Sequence, residues 1–289
     1  MKVKLQGHTS YIGGSGYANH ARDFFRSLSK YIPISINNFT IGNTWKNLSD
    51  KPHDDEDYIK PIDKKLLNNQ WLWSGSGKKT RHKHKIYDDG TLFEPNVDLV
   101  LMESNHYLFY DNYKNPKIAY NVWESTLQSP SFFKKLLEFD EIWVPTKWQA
   151  QCTILQGADR DKVKVVPEGV DVNTFFPIES IDGQVEYPNK FQFLIIGRWE
   201  YRKFTKELIQ AFNKASKSFK NRDFELILLV DNKFANDGFS TTEERLEHYN
   251  IDTKNIRILD FLSREDYINT LRNTNVFLSC SRSEGWNLP

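Results

Sequence analysis

The apolar run FQFLII, from Phe191 to Ile196, passes directly into GRWEYRK (Gly197 to Lys203) and then into KELIQAFNKASKSF. The first reads as a buried strand, and the last reads as a helix because Leu208, Phe212, Ala215 and Phe219 share one face. A strand that turns at once into a helix is the repeating unit of a parallel α/β sheet. Arg198 and Lys203 then lie on the turn leaving the strand's carboxyl end. Ligands of open α/β sheets bind at that edge, and the following helix points free amide N–H groups into the same space. Two cations fixed there suit a diphosphate. The plainer alternative is a pair of solvated charges, in a chain whose residues are 27% charged.

The same alternation runs through the rest of the chain. Lys2 to Thr9 reads as a strand, followed by the glycine-rich GGSGY and a helix with Ala21, Phe24, Phe25 and Leu28 on one face. Gly14 and Gly16 in that loop are candidates for close backbone approach to a phosphate or sugar, and a simple tight turn is the alternative. Val97 to Glu103 and Lys117 to Trp123 read as strands, the second ending in WEST with Glu124 just past its carboxyl end. Ser129 and Pro130 open a helix with Phe132, Phe133, Leu136 and Leu137 toward the core, and EIWVP is the next strand. Thr146 caps a helix carrying Trp148, Cys152 and Leu155 on one face and ended by Gly157. A strand within KVKVVPEGVD completes the first half.

Past a stretch with two prolines and mixed charge come FELILLV, a helix around Glu243 to His248, NIRILDF, a helix opened by Ser263 and Asp266, and NVFLSCS. Alternation on both sides of a linker predicts two parallel-sheet domains, residues 1–176 and 191–289, joined by 177–190, with a site in the cleft between them. The chain stops at SRSEGWNLP, where a covering helix should begin, so the second domain is expected to be incomplete.

Composition removes several function classes. The 39 Lys and Arg against 38 Asp and Glu leave a net charge of +1, so no global field recruits nucleic acid. The basic run from Lys78 to Lys85 reads as a solvated loop, and His82 and His84 lack further ligands at metal spacing. No apolar run is long enough to span a bilayer, which predicts a soluble cytoplasmic protein and leaves room only for peripheral membrane contact. Cys152 and Cys280, each among hydrophobic neighbours, are expected to be buried free thiols.

Several of these stretches, taken together and in order, resemble one family. VVPEGVDVNTFFP (Val165 to Pro177) resembles the VxPNGVDxxxFxP signature of family 4 glycosyltransferases. GRWEYRK resembles their GRxxxxKG segment, with Arg198 and Lys203 at the same separation and Phe204 in place of glycine. SEGWNLP resembles the start of their EGFGLPxxE motif, with Asn287 in place of glycine and the second Glu falling beyond Pro289. The resemblance implies the GT-B fold, two Rossmann-like domains facing across a cleft. It also implies a retaining transfer of a hexose from a nucleoside-diphosphate sugar to a hydroxyl of a glycan, lipid or other acceptor, with no catalytic metal or other cofactor.

By position, Arg198 and Lys203 would clamp the donor diphosphate, Glu284 would bond the donor sugar, and backbone N–H groups of Gly285, Trp286, Asn287 and Leu288 would meet phosphate or sugar. Backbone atoms around Leu262 would hold the base. Glu124 would orient or deprotonate the acceptor, or else be an ordinary loop carboxylate; His106 is a weaker acceptor-side candidate. The competing functions are a nucleotide-sugar epimerase of the same fold and a non-catalytic fragment.

Overall fold

The computed structural model describes residues 2–9, 16–40, 66–72, 93–102, 115–176, 190–219, 223–232, 236–260, 262–287 and 289. The chain divides into two compact units, residues 1–170 with 284–288, and residues 171–283 with 289. Of the linker expected over 177–190, all but Lys190 lies outside the described residues, as does the Lys78 to Lys85 run.

The first unit is built on seven strands: β1 (Leu5–Thr9), β2 (Ile34–Thr40), β3 (Leu67–Leu72), β4 (Val97–Leu101), β5 (Lys117–Tyr120), β6 (Glu141–Val144) and β7 (Val163–Val165). Their order is β3-β2-β1-β4-β5-β6-β7, and every pairing is parallel. The order reverses between β1 and β4, the topological switch point of a doubly wound sheet. Helix α1 (Gly16–Leu28) lies close on β1 because Gly7 has no side chain: a Cβ there would stand 2.7 Å from the Phe25 ring. Ala21 and Phe25 are buried, with Phe24 and Leu28 packed against the same cluster, as the helical spacing predicts.

Helix α2 (Pro130–Leu136) starts where Ser129 and Pro130 place it and buries Phe133 and Leu136, while Leu137 is exposed. Helix α3 (Lys147–Leu155) is capped by Thr146, whose Oγ1 accepts from the Gln149 amide at 3.0 Å. Its buried face differs from the expected one. Trp148 and Leu155 face solvent and Cys152 is half-buried, whereas Gln149, Ala150 and Thr153 are buried. The cause is a tertiary hydrogen bond: Gln149 Nε2 donates to the Asn121 carbonyl at 2.6 Å, just past the end of β5, and this turns the helix's polar stripe inward.

The second unit carries β8 (Phe191–Ile196), β9 (Phe224–Leu229), β10 (Ile256–Ile258) and β11 (Val276–Phe277), in the order β10-β9-β8-β11 and again all parallel. Helix α4 (Thr205–Ser216) buries Thr205, Ile209 and Phe212, while Ala215, expected on the core face, is exposed. Phe193, Phe212, Phe219 and Phe224 pack ring against ring beneath it. Helix α5 (Thr242–His248) begins with a reciprocal cap between Thr241 and Glu244, and α6 (Arg264–Arg272) begins with Ser263 Oγ accepting from the Asp266 amide. Cys152 and Cys280 are both free, as expected, but Cys280 is exposed, because the strand it was assigned to ends at Phe277.

One side chain in this unit is charged and wholly enclosed. Arg245 on α5 is 0% exposed and forks onto Asp237, Nε to Oδ2 at 2.8 Å and Nη2 to Oδ1 at 3.0 Å. Two further N–H groups meet the carbonyls of Thr241 and Phe239. These hydrogen bonds hold the Asp237 carboxyl below its ordinary value of 3.8. A depressed carboxyl contributes stability above its unfolded-state pKa and loses it as the pH falls through the folded value, so this contribution should fade below about pH 4. Asp237→Asn should leave the guanidinium buried without a counter-charge. The expected loss is about 3 kcal/mol, the low end for a broken buried pair because part of Asp237 is in contact with water. Urea unfolding at neutral pH checks the figure.

Candidate functional site

The turn after β8 is fixed from both sides. Gly197 takes φ +124°, a conformation that side chains resist, and its N–H donates to the Leu229 carbonyl at 3.1 Å. The next residues are tied to β9's exit: Trp199 N–H donates to Val230 O at 2.7 Å, and Asn232 Nδ2 donates to Trp199 O at 2.8 Å. The aliphatic stem of Lys203 lies over Gly197, where a Cβ would meet its Cε at 3.5 Å. Arg198, half exposed, has Nη2 at 3.8 Å from Glu200 Oε2. The turn therefore carries both expected cations, flanking one glycine, on the carboxyl edge of the sheet.

Two further arginines, not singled out from the sequence, brace this turn. Arg202 pairs with Glu200 at 2.8 Å and donates from Nη1 to the Ser283 carbonyl at 2.9 Å. Arg282 returns a backbone bond to the Arg202 carbonyl, and its guanidinium lies 4.4 Å from the Tyr201 ring centroid and 4.3 Å from that of Phe204. Phe204 itself adopts φ 58° and ψ 30°, the left-handed region, which is a strained place for a bulky residue. This is the position where the resembling family has glycine. Phe204 adopts this glycine-like turn, and Arg282 packs on its ring. Leu262 is half-buried in the turn before α6.

In the first unit the ends of β5 and β7 meet the start of α1. Tyr17 Oη donates to the Val122 carbonyl at 2.7 Å, and Tyr120 Oη donates to the Val166 carbonyl. The WEST loop is held by the Trp123 indole, which donates to Ser125 Oγ and Leu127 O, and Glu124 on that loop is exposed. Gly285 packs on the same loop: it is buried, and a Cβ there would stand well inside contact distance of Val122 Cγ1. Glu284 is half-buried, while Trp286 and Asn287 are exposed. Gly16 is the exposed first residue of α1, with open space where a side chain would go. Gly14, Leu288 and His106 lie outside the described residues.

A second arrangement here is one that sequence spacing does not reveal. His20 on α1 and Glu168, from the PEGVD turn, are both buried, with Nδ1 3.3 Å from Oε2. The His20 ring stands edge-on to Tyr120 at 4.8 Å between centroids. Burial, with the charge of Glu168 added, pushes the Tyr120 phenol above its ordinary value. The available signal was an imidazole beside Ala21 on the apolar face of α1, but its carboxylate lies far away along the chain.

Gly285→Ala should force the stiff Val122 side chain aside. We expect about 1 to 3 kcal/mol of destabilisation, as for other overpacked sites, with the larger effect on order in the loop at residues 122–125. Thermal unfolding combined with amide exchange of that loop measures both.

The sequence matches no known family profile and no curated protein. Solved structures do match. HepE from Anabaena, determined with UDP and glucose, is similar with a TM-score of 0.60 at 11% identity, over 97% of this chain and 74% of its own. Sucrose-phosphate synthase from Thermosynechococcus elongatus is similar with a TM-score of 0.60 at 10% identity, over 99% of this chain and 77% of its own. A glycosyltransferase from Rickettsia africae is similar with a TM-score of 0.60 at 16% identity, over 97% of this chain and 73% of its own. At such identities the likeness is one of fold, and this chain has the α/β, parallel-sheet GT-B fold.

Proposed function

We propose that the protein is a retaining glycosyltransferase that moves a hexose from a nucleoside-diphosphate sugar to a hydroxyl of a glycan, lipid or other acceptor. The observation that carries this reading is the turn at Gly197, where a left-handed glycine lets Lys203 lie back across the exit of β8 beside Arg198. HepE, of the same fold, has been determined with UDP and with UDP-glucose, and this supports the class of donor.

The chemistry asks for such a turn. Breaking the bond between an anomeric carbon and a diphosphate builds negative charge on the leaving oxygen and positive charge on the carbon. Cations already in place beside the diphosphate stabilise that state more than the bound ground state, because nothing need reorganise as the charge develops. Arg198 offers a planar fork for two phosphate oxygens and Lys203 a mobile point charge. Glu200 and Arg202 hold the turn in shape. Glu284 bonds the donor sugar's hydroxyls, the backbone from Gly285 to Leu288 and at Gly14 and Gly16 approaches phosphate or sugar, and the backbone at Leu262 meets the base.

Retention follows if the acceptor attacks from the face the diphosphate leaves. The leaving phosphate oxygen then takes the acceptor's proton, and Glu124 orients the acceptor. Two fixed cations supply the positive charge that a metal would otherwise bring.

Calorimetric titration with UDP and with GDP tests the donor assignment. Arg198→Ala should weaken binding of the nucleotide by about 1.5 to 3 kcal/mol, the usual worth of a charge-assisted hydrogen bond. Unchanged binding in a folded variant would contradict it.

A further inference from the structure

His20 and Glu168 form a buried couple that the proposed donor chemistry does not use. The imidazole is 7% exposed and Glu168 is 9% exposed. Nδ1 faces the carboxylate at 3.3 Å, but Nε2 is buried with no hydrogen-bond partner among the described residues. Aromatic rings pack against the imidazole, Tyr120 at 4.8 Å and Phe24 at 6.0 Å between centroids. A buried ring nitrogen left unpaired is unfavourable, so a partner on that side would recover free energy.

A second buried histidine of this unit, His8, is different. Its Nε2 lies 2.8 Å from Asp98 Oδ1 and its Nδ1 lies 3.4 Å from Asn37 Nδ2, so both nitrogens face groups of the protein. His8 reads as part of the sheet's interior. His20, by contrast, stands where strands exit: Tyr120 is the last residue of β5, and Glu168 follows β7 by three residues. That is the ligand-binding edge of a parallel sheet.

The charge arrangement selects the partner. A carboxylate beside Nδ1 favours the tautomer with its proton there, which leaves Nε2 as a lone-pair acceptor. A phosphate or carboxylate ligand would bring a second negative charge close to buried Glu168, where Coulomb repulsion is poorly screened. A neutral hydroxyl, which donates, fits both conditions. We propose that Nε2 of His20 accepts a hydrogen bond from a hydroxyl of the sugar acceptor, with Glu168 as the positioning residue that fixes the tautomer. This rests on the transferase reading above and adds to it an acceptor contact in the first unit.

The test is steady-state transfer from UDP-glucose and GDP-glucose to methyl α-glucoside, α-galactoside and α-mannoside, with nucleotide affinity measured alongside by calorimetry. His20→Phe keeps the ring packing and removes both nitrogens; it should raise the acceptor KM about tenfold, as for one lost hydrogen bond, and leave nucleotide affinity unchanged. His20→Gln, which retains an acceptor oxygen, should recover part of the loss, and Glu168→Gln should give a smaller rise. As a readout independent of folding in the variants, nitrogen-15 NMR of the wild-type chain should show His20 with its proton on Nδ1 and its Nε2 signal moving when a methyl glycoside is added. An unchanged acceptor KM in folded His20→Phe, or an Nε2–H tautomer in the wild type, would overturn the assignment. So would a chain that binds nucleotide but transfers to none of the three sugars. Failure to bind any nucleotide would instead count against the donor reading.

Discussion

In both sheets every described strand runs parallel to its neighbours, so each strand leaves the sheet at the same edge. That edge collects chain segments with free peptide groups and little regular hydrogen bonding, and chemistry can be placed there without disturbing the core. The core residues that make this arrangement stable are ordinary. Leu99, Val100, Ala119 and Ile142 in the first unit and Leu194, Leu226 and Leu228 in the second are almost fully enclosed. What distinguishes the chain is how its turns at the carboxyl edge are fixed. Gly197 is bonded back to β9, Arg202 ties its turn to the Ser283 carbonyl, and Val122 receives Tyr17 on one side while Gly285 packs on the other.

Charge is organised by the same principle. Among the described residues of the second unit, Arg245 is completely buried and meets a matched carboxylate and two carbonyls. The cations at the Gly197 turn are treated otherwise: Arg198 remains half exposed, and its neighbour Glu200 lies at the long end of ion-pair distance from it while bonding Arg202 closely. In the first unit the buried pair is instead an imidazole and a carboxylate, His20 and Glu168.

Much of this was legible in the sequence, and the parts that were not have local physical causes. Strand-to-helix alternation and the caps at Thr146 and Ser263 could be read because capping depends on residues within four positions of each other. The Gly197 turn was legible because a glycine between an apolar run and a helix has few other uses. The buried face of α3 was not, since the hydrogen bond from Gln149 to Asn121 overrides the stripe of Trp148 and Leu155. At Phe204 the sequence suggested a departure from the glycine turn, yet the backbone adopts the left-handed conformation anyway, with Arg282 packed on the ring. The pairing of His20 with Glu168 depends on three elements meeting at the sheet edge, and no spacing rule connects them. Gly14, Leu288 and His106 lie outside the described residues.

The proposed function requires a nucleoside diphosphate on the Gly197 turn. Hydrogen–deuterium exchange of the intact chain with and without UDP-glucose or GDP-glucose measures this directly, since amides covered by diphosphate exchange more slowly. Protection should concentrate in residues 197–205 and at 283–287 for at least one of the two donors. Protection confined to other segments, or none in 197–205 under conditions where calorimetry shows binding, would contradict it.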